Sequence, residues 1–416
     1  MINYLKTFRI SRNTLSQSKR LWMAFVLGTL VALGPLSIDM YLPALPDIAK
    51  ELHTTESLVQ LSLTFFLVGL SLGQLLSGSL SDVYGRRKPL LIGLTIFFVT
   101  SFWCAFSQSI WELIILRLIQ GLAGSVGMVI SRAIVRDLYS GSELTKFFSL
   151  LALISGVSPV LGPILGAQLL HIAPWQGVFM VLSAVGLIMF LIIVLCLSET
   201  LPVDSRSLGG IKNTLNIFRK LLLDRSFIGY ALPQGLVFAA MFAYISGSPF
   251  VLQNIYGSSP QIFSLIFAIN GIGIIIFSQI TGRLAGRISE KKLFVTGLCI
   301  GFLGAITLLV MLLFNAGLYA ILVPLFFVIS SAGMVSTTGL SLAMQKQGKT
   351  AGSASALLGV LSLVFGGSIA PLVGLGSNKA ISMGIIIVLA SIGSILSYIF
   401  LLDRKTSKSN KNSVSI

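Results

Sequence analysis

Two long apolar runs of this chain flank the short basic segment GSLSDVYGRRK, residues 78–88. The flanking runs, 58–80 and 89–107, are each long enough to cross about 30 Å of hydrocarbon, which takes roughly 20 helical residues. Positive charge in a short connection is typical of the cytoplasmic side of a membrane. The segment therefore predicts a helical hairpin whose turn lies in the cytoplasm.

The composition of the whole chain is that of an integral membrane protein. Of its 416 residues 55% are hydrophobic and only 10% are charged, whereas about a quarter of a soluble chain is charged. Twelve apolar runs are long enough to span a bilayer: 22–43, 58–80, 89–107, 111–131, 145–170, 174–198, 226–250, 261–281, 293–313, 318–340, 351–374 and 378–402. We predict an all-α fold of twelve transmembrane helices.

The basic residues are concentrated on one side of the predicted membrane topology. A net charge of +16 is compatible with a nucleic-acid partner, but nearly all of the basic residues fall in one alternating set of loops and tails. The opposite set holds only Lys50 and Lys379, and Arg117 lies within a span. By the positive-inside rule both termini are cytoplasmic. The charge orients the protein, and we expect no nucleic-acid partner.

A weaker copy of the basic segment in the second half indicates internal duplication. The matching residues of the two copies are Gly78, Leu80, Arg87 and Lys88, and Gly282, Leu284, Lys291 and Lys292. In the second copy Gly286, Ser289 and Glu290 stand in place of Asp82, Gly85 and Arg86. We predict a six-helix bundle over 1–198, a cytoplasmic linker over 199–225, a second bundle over 226–402 and a cytoplasmic tail over 403–416.

The first helix contains a carboxylate, Asp39, within ALGPLSIDMYLP, residues 32–43. A charged group in hydrocarbon costs about 3–17 kcal/mol, so it normally faces a protein-lined cavity and has a partner. Arg117 of the fourth helix lies at a comparable depth and is the candidate partner. Asp39 and Arg117 are therefore the first candidates for functional residues. Two alternatives stay open: Asp39 caps the outer end of its helix, or the two residues form a structural ion pair.

Six further residues are candidates to line a substrate cavity: Tyr41, Gln120, Phe238, Phe242, Tyr244 and Asn270. Aromatic walls with a few amides suit amphipathic or neutral organic molecules; the alternative for each aromatic residue is packing or contact with lipid. Cys104, Cys196 and Cys299 fall inside spans, and His53 and His171 lie in no ligand cluster. We expect no disulfide, metal site or cofactor.

Several motifs resemble those of the major facilitator superfamily. The spacing of Gly78, Asp82, Gly85, Arg86 and Arg87 is similar to the superfamily's signature loop. The segment 113–121, with Arg117, resembles the motif in which a buried arginine takes part in proton coupling. This resemblance makes Asp39 and Arg117 the candidate proton-coupling residues.

Motifs in the fifth helix and in two further segments resemble those of one branch of this superfamily. Gly156, Gly162, Pro163 and Gly166 resemble the antiporter motif of the drug-exporting branch, although Ser158 and Ala167 stand where glycine is common. DMYLPALP, residues 39–46, and RAIVRD, residues 132–137, resemble the Bcr/CflA group of drug:proton antiporters.

The resemblance implies two pseudo-symmetric bundles in a bacterial inner membrane that export bicyclomycin- or amphenicol-like drugs in exchange for protons by alternating access. It also implies that Asp82 lies near the N-terminus of the eleventh helix, around 351–353, and holds a cytoplasmic gate closed. We expect a monomer. A metabolite or siderophore exporter is the leading alternative, and a proton symporter is less favoured. A membrane enzyme and a channel are disfavoured because catalytic clusters and filter sequences are missing from the sequence.

Overall fold

A computed structural model describes residues 17–139, 141–206, 211–345, 347, 351–376 and 378–403. Within these residues the structure is helical throughout, apart from short turns and one isolated β-bridge between Ala285 and Ile288. This agrees with the all-α fold that the apolar runs predict, since a helix satisfies its backbone hydrogen bonds without help from water.

Seven helices form the N-terminal half. They are α1 (Gln17–Asp39), α2 (Leu45–Glu51), α3 (Glu56–Tyr84), α4 (Arg87–Cys104), α5 (Ile110–Leu138), α6 (Gly141–Ile172) and α7 (Gln176–Cys196). The short helix α8 (Ile211–Leu223) follows. The C-terminal half contains α9 (Arg225–Pro249), α10 (Pro260–Leu284), α11 (Glu290–Leu313), α12 (Leu318–Met344), α13 (Ala351–Val373) and α14 (Lys379–Tyr398). π-Helical turns at Phe250–Ile255 and Ile399–Asp403 continue α9 and α14.

The twelve predicted spans correspond to twelve of these helices. Eleven are long and apolar enough to cross a membrane by length and composition in the described part of the chain, and α6 is the twelfth. Several helices continue beyond the predicted apolar run. For example, α5 ends at Leu138 rather than at 131. Charged residues in its last turns end the apolar run but not the helix, and one of them, Asp137, is held by a salt bridge to Arg86.

The first span is not one uninterrupted helix. α1 ends at Asp39, a 3₁₀ turn covers Leu42–Ala44, and α2 follows. Pro43 and Pro46 lack the N–H groups that would continue an α-helical ladder. Asp39 is therefore the last residue of α1.

The predicted linker, residues 199–225, is not only a polar connection. It contains α8, in which Phe218 and Leu221 are buried while Leu222 and Leu223 are exposed. Apolar residues recur there at helical spacing, which is sufficient for an amphipathic helix.

The left-handed residue of the second basic loop is not the one that the alignment of the two copies predicts. In the first loop Gly85 adopts a left-handed φ of +87°. In the second loop the left-handed residue is Gly286, with φ +90°, and not Ser289, which occupies the aligned position. The reason is that glycine adopts this conformation without steric cost, whereas serine does not.

The chain divides into two compact units. One consists of Met1–Thr54 with Phe65–Asn213, and the other of Thr55–Thr64 with Thr214–Ile416. The division after Asn213 falls within the predicted linker. The first residues of α3 belong to the second unit, whereas the sequence assigns this entire helix to the first bundle.

Inside the first unit, small residues bring α3 close to α5. A Cβ atom added at Gly69 would lie 2.1 Å from the carbonyl oxygen of Leu118, and one added at Gly121 would lie 2.1 Å from that of Phe66. Small residues allow membrane helices to approach at backbone distance. This crossing positions Arg117 beside Phe66.

Candidate functional site

Asp39 lies at the end of α1, where α1 packs against α6. It is only 5% exposed. A Cβ atom at Gly162 would be 2.5 Å from the Cβ of Asp39, and one at Gly166 would be 2.3 Å from the carbonyl oxygen of Met40. The Oδ2 atom is buried with no hydrogen-bond partner among the residues that the structure describes. A negative charge at this position is costly, because no donor among the described residues compensates the lost hydration of Oδ2.

Arg117 lies in an aromatic cage. The side chain is 0% exposed, and its Cζ atom is 4.5 Å from the ring centroid of Tyr41, 4.1 Å from that of Phe66 and 5.8 Å from that of Phe179. Such contacts stabilise a desolvated cation by about 2 kcal/mol. Its Nη1 atom donates to Oε1 of Gln120 at 2.7 Å.

The cage does not satisfy the whole guanidinium group. Nε and Nη2 of Arg117 are buried without a hydrogen-bond partner in the described part of the chain. Gln120 is held in turn by a 2.7 Å hydrogen bond from its Nε2 atom to Oγ of Ser101. Arg117 therefore keeps two donors that a carboxylate, a water molecule or a substrate could accept.

Asp39 and Arg117 do not form an ion pair. Between described residues, the pairs with N···O distances of 4.0 Å or less are Arg86 with Asp82 and Arg86 with Asp137. The direct pairing expected from their similar depth is wrong in this conformation. Arg117 is directed to its cage and to Gln120, while Asp39 lies against α6. Their participation in proton coupling stays a prediction.

The glycines of the antiporter-like motif differ in what they contact. Gly162 and Gly166 lie against α1, as described above, and Pro163 is buried beside them. A Cβ atom at Gly156 would meet no described atom within 4 Å. Two of the three glycines are therefore needed for the approach of α6 to the segment that carries Asp39.

At the end of α3 that the sequence predicts to be cytoplasmic, Arg86 connects the loop after α3 to the end of α5. It forms a salt bridge with Asp82, and its Nε atom donates to Asp137 at 2.8 Å. Its Nη1 atom also donates to Oγ of Ser81 at 2.8 Å. Burial opposes the charge, but the hydrogen bonds to Asp137 and Asp82 outweigh it and raise the pKa of Arg86. That Asp82 lies near 351–353 stays a prediction.

Glu199 is a member of this network that the sequence did not single out. Its carboxylate accepts hydrogen bonds from the backbone N–H groups of Arg86 at 2.8 Å, Arg87 at 3.2 Å, Thr200 at 3.0 Å and Leu201 at 3.1 Å. Burial acts to raise its pKa, but these hydrogen bonds prevail and lower it. Glu199 thereby provides a negative charge at the N-terminus of α4. The only sequence signal was a lone acid directly after the sixth span.

The six predicted substrate residues fall into separate clusters. Tyr41 and Gln120 surround Arg117 in the first unit. In the second unit Nδ2 of Asn270 donates to the hydroxyl of Tyr244 at 2.9 Å, Phe242 packs against Gly366, and Phe238 is half-buried. The single cavity that the sequence predicts for all six residues stays a prediction.

Asn270 also lines a cavity of about 210 Å³ between α10 and α12. The other lining residues are apolar: Ile266, Ile269, Leu322, Val323 and Phe326. An apolar wall with one polar group suits part of an amphipathic molecule.

Comparison with known proteins identifies the family. The family model of the Major Facilitator Superfamily matches residues 27–371. An uncharacterized MFS-type transporter, YdgK of Bacillus subtilis, is 48% identical over 91% of this chain and 94% of its own length. A bicyclomycin resistance protein homolog of Haemophilus influenzae is 28% identical over 91% and 95%. Multidrug resistance protein MdtL of Shewanella oneidensis is 26% identical over 90% and 93%.

Solved structures agree on the fold. A bacterial homolog of the human lysosomal transporter Spinster matches with a TM-score of 0.75 at 14% identity, over 93% of this chain and 97% of the other. The nucleoside transporter NupG matches with a TM-score of 0.73 at 15% identity, over 92% and 99%.

The fold and the buried charged residues together are those of a multi-pass membrane transporter. The chain belongs to the Major Facilitator Superfamily. Its relatives include proteins named for drug resistance, as the resemblance of its motifs predicts.

Proposed function

We propose that this chain exports small amphipathic drugs, of bicyclomycin or amphenicol type, across a bacterial inner membrane in exchange for protons, with both termini in the cytoplasm. The observation that carries the proposal is the buried Oδ2 atom of Asp39, which has no partner among the described residues and lies beside Gly162 of the antiporter-like motif. The relatives named for bicyclomycin and multidrug resistance support the choice of substrate class.

The proposed cycle uses Asp39 as the proton carrier. An ionised Asp39 needs water or a donor, so it exchanges its proton when the site is hydrated; protonation removes the cost of enclosing it. Arg117 keeps its positive charge in the aromatic cage, and its two free donors attract a carboxylate or a polar substrate group. One proton crossing ~100 mV and ~1 pH unit releases about 3.7 kcal/mol. At about 1.4 kcal/mol per decade, this sustains roughly a several-hundred-fold gradient of a neutral drug.

The first test measures proton release or uptake when candidate drugs are added to purified protein. We expect a drug-dependent proton signal in the wild type that Asp39→Asn abolishes, because the amide cannot carry the proton. Asp47→Asn is the matched control, since Asp47 is an exposed acid on α2; it should leave the signal unchanged. A signal that survives in Asp39→Asn would refute the assignment of the proton to Asp39.

The same experiment addresses the substrate. If no drug produces a proton signal in the wild type while siderophores or metabolites do, the exporter acts on an endogenous compound and the drug assignment is wrong. If protons move with the compound into vesicles instead of against it, the protein is a symporter.

A further inference from the structure

The connection before α9 contains a surface helix with two apolar sides. This helix is α8, Ile211–Leu223. Phe218 and Leu221 are buried, whereas Leu222 is 47% exposed and Leu223 is 77% exposed. One apolar side of α8 therefore packs inside the protein and the other does not. Adjacent leucines as exposed as these are typical of a surface that contacts a partner or a membrane.

The exposed leucines lie where a membrane-spanning helix begins. Asp224 is the single residue between α8 and α9. With its π-helical turn, α9 forms a candidate span of 31 residues, Arg225–Ile255. At 1.5 Å per residue this span is about 46 Å long, and a bilayer with its headgroup regions is about 40–45 Å thick. The start of α9 therefore reaches the headgroup region, and Leu222 and Leu223 lie within one helical turn of it.

Three exposed basic residues accompany the leucines: Arg219, Lys220 and Arg225. Among the described residues none of the three forms a salt bridge. The nearest acid in the sequence, Asp224, is held by the protein itself. Its Oδ1 atom accepts the N–H of Ser226 at 2.9 Å, and its Oδ2 atom accepts Nε2 of Gln347 at 2.7 Å. The segment is therefore positively charged, and its basic side chains are available to an external anion.

Arg219 lies on the same side of α8 as the two leucines. Positions 219, 222 and 223 follow i, i+3 and i+4 spacing, which places them together on one helix face. A long basic side chain lays its methylene groups along an apolar layer and keeps its charge at the water boundary. Leucine beside arginine on an exposed helix face is typical of a helix that lies in the plane of a membrane interface.

We propose that the last turns of α8 bind anionic phospholipids in the plane of the membrane. The two leucines enter the boundary of the acyl chains, and the three basic side chains bind the lipid phosphate groups. Zwitterionic lipids offer the same apolar layer without a net charge, so the positive segment selects anionic lipids. This inference concerns the connection before α9 and does not depend on drug export.

An environment-sensitive fluorophore tests whether Leu222 contacts the membrane. Leu222→Cys is made in a background that lacks Cys104, Cys196 and Cys299, and the full chain is labelled with NBD. It is reconstituted into nanodiscs of phosphatidylcholine, with or without phosphatidylglycerol. We expect blue-shifted emission that nitroxide lipids quench, with stronger quenching when phosphatidylglycerol is present. Asn216→Cys is the matched control, because Asn216 is exposed and lies about 120° away around the helix; its label should stay in water.

Two results of the fluorescence experiment would overturn the proposal. If the label at 222 is as accessible to water as the label at 216 in both membranes, the exposed leucines belong to another partner, such as a protein. If nitroxide lipids quench the label at 222 equally with and without phosphatidylglycerol, α8 makes an apolar contact only and does not select anionic lipid.

Removal of charge tests the lipid preference. Short-chain phosphatidylglycerol, titrated into the detergent-solubilised protein labelled at Leu222→Cys, should shift the emission saturably. Arg219→Gln with Lys220→Gln should weaken the apparent affinity roughly 25-fold, at about fivefold for each base. Lys291→Gln with Lys292→Gln removes the same charge from another exposed basic pair of the second unit and should leave the affinity unchanged. Equal weakening by both pairs would show attraction by net charge alone and refute a site on α8.

Discussion

At the scale of single residues, the protein isolates its membrane charges instead of pairing them. The guanidinium group of Arg117 rests on Tyr41, Phe66 and Phe179 and uses one donor for Gln120. Asp39 is enclosed by the α1–α6 contact. A direct ion pair would need both groups to turn toward each other and give up these contacts. Each group therefore stays available for a proton or a substrate, which a locked structural pair would not be.

Glu199 carries the pH-dependent prediction. Its pKa is lowered in the folded protein, so its contribution to stability is complete above its ordinary pKa of about 4.5 and is lost as the pH falls further, toward the folded value. Glu199→Gln should lower the Tm at pH 7 by about 2 °C, and the difference from the wild type should shrink below about pH 4.5. Thermal unfolding from pH 3.5 to 8 checks this. Asp204→Asn is the control, because Asp204 is an exposed acid nearby; an equal effect there would refute the capping role.

At the scale of elements, glycine residues allow neighbouring helices to pack closely. The sequence suggested one antiporter motif of several small residues, but only some of them lie against α1. Gly162 and Gly166 do so, whereas a Cβ atom added at Gly156 would meet no described atom within 4 Å. Two positions of the motif on α6 therefore need glycine for close contact with α1, and position 156 does not.

Gly162→Ala and Gly156→Ala form a matched pair that tests this. The new methyl group at 162 would meet Asp39 at 2.5 Å, so α6 must move away. We expect Gly162→Ala to lower the Tm by about 4–8 °C, as overpacking costs about 1–3 kcal/mol, and to weaken the proton signal. Gly156→Ala should leave the Tm unchanged or raise it, since alanine favours helix. Similar losses for both variants would show that α6 does not pack as described.

At the scale of the whole molecule, charge placement determines orientation. The positive-inside rule predicts that the short basic loops after α3 and after α10 lie on the cytoplasmic side together with both termini. The duplicated loop supports two related halves, although its left-handed glycine is Gly286 in the second copy.

Cysteine labelling of intact cells tests the orientation. Tyr319→Cys, at a position that is 85% exposed at the start of α12, should react with an impermeant maleimide added outside. Arg287→Cys, exposed in the loop after α10, should react only after the cells are permeabilised. Both variants are made in a background that lacks Cys104, Cys196 and Cys299. The reverse pattern would invert the proposed topology.

The amino-acid sequence by itself determined the membrane class, the twelve spans, the expected orientation and the family. Lipid leaves a spanning chain no donors or acceptors except its own, so long apolar runs must become helices. Short charged connections then predict the cytoplasmic side, and the loop after α3 indicates the superfamily.

Only the tertiary structure decided which side chains meet. A helix that is apolar on every side carries no periodic signal of which face is turned inward. The cage around Arg117 and the carboxylate of Glu199 at the start of α4 therefore could not be predicted. Each joins residues far apart in the chain, and their contacts depend on helix rotation and on small residues such as Gly162.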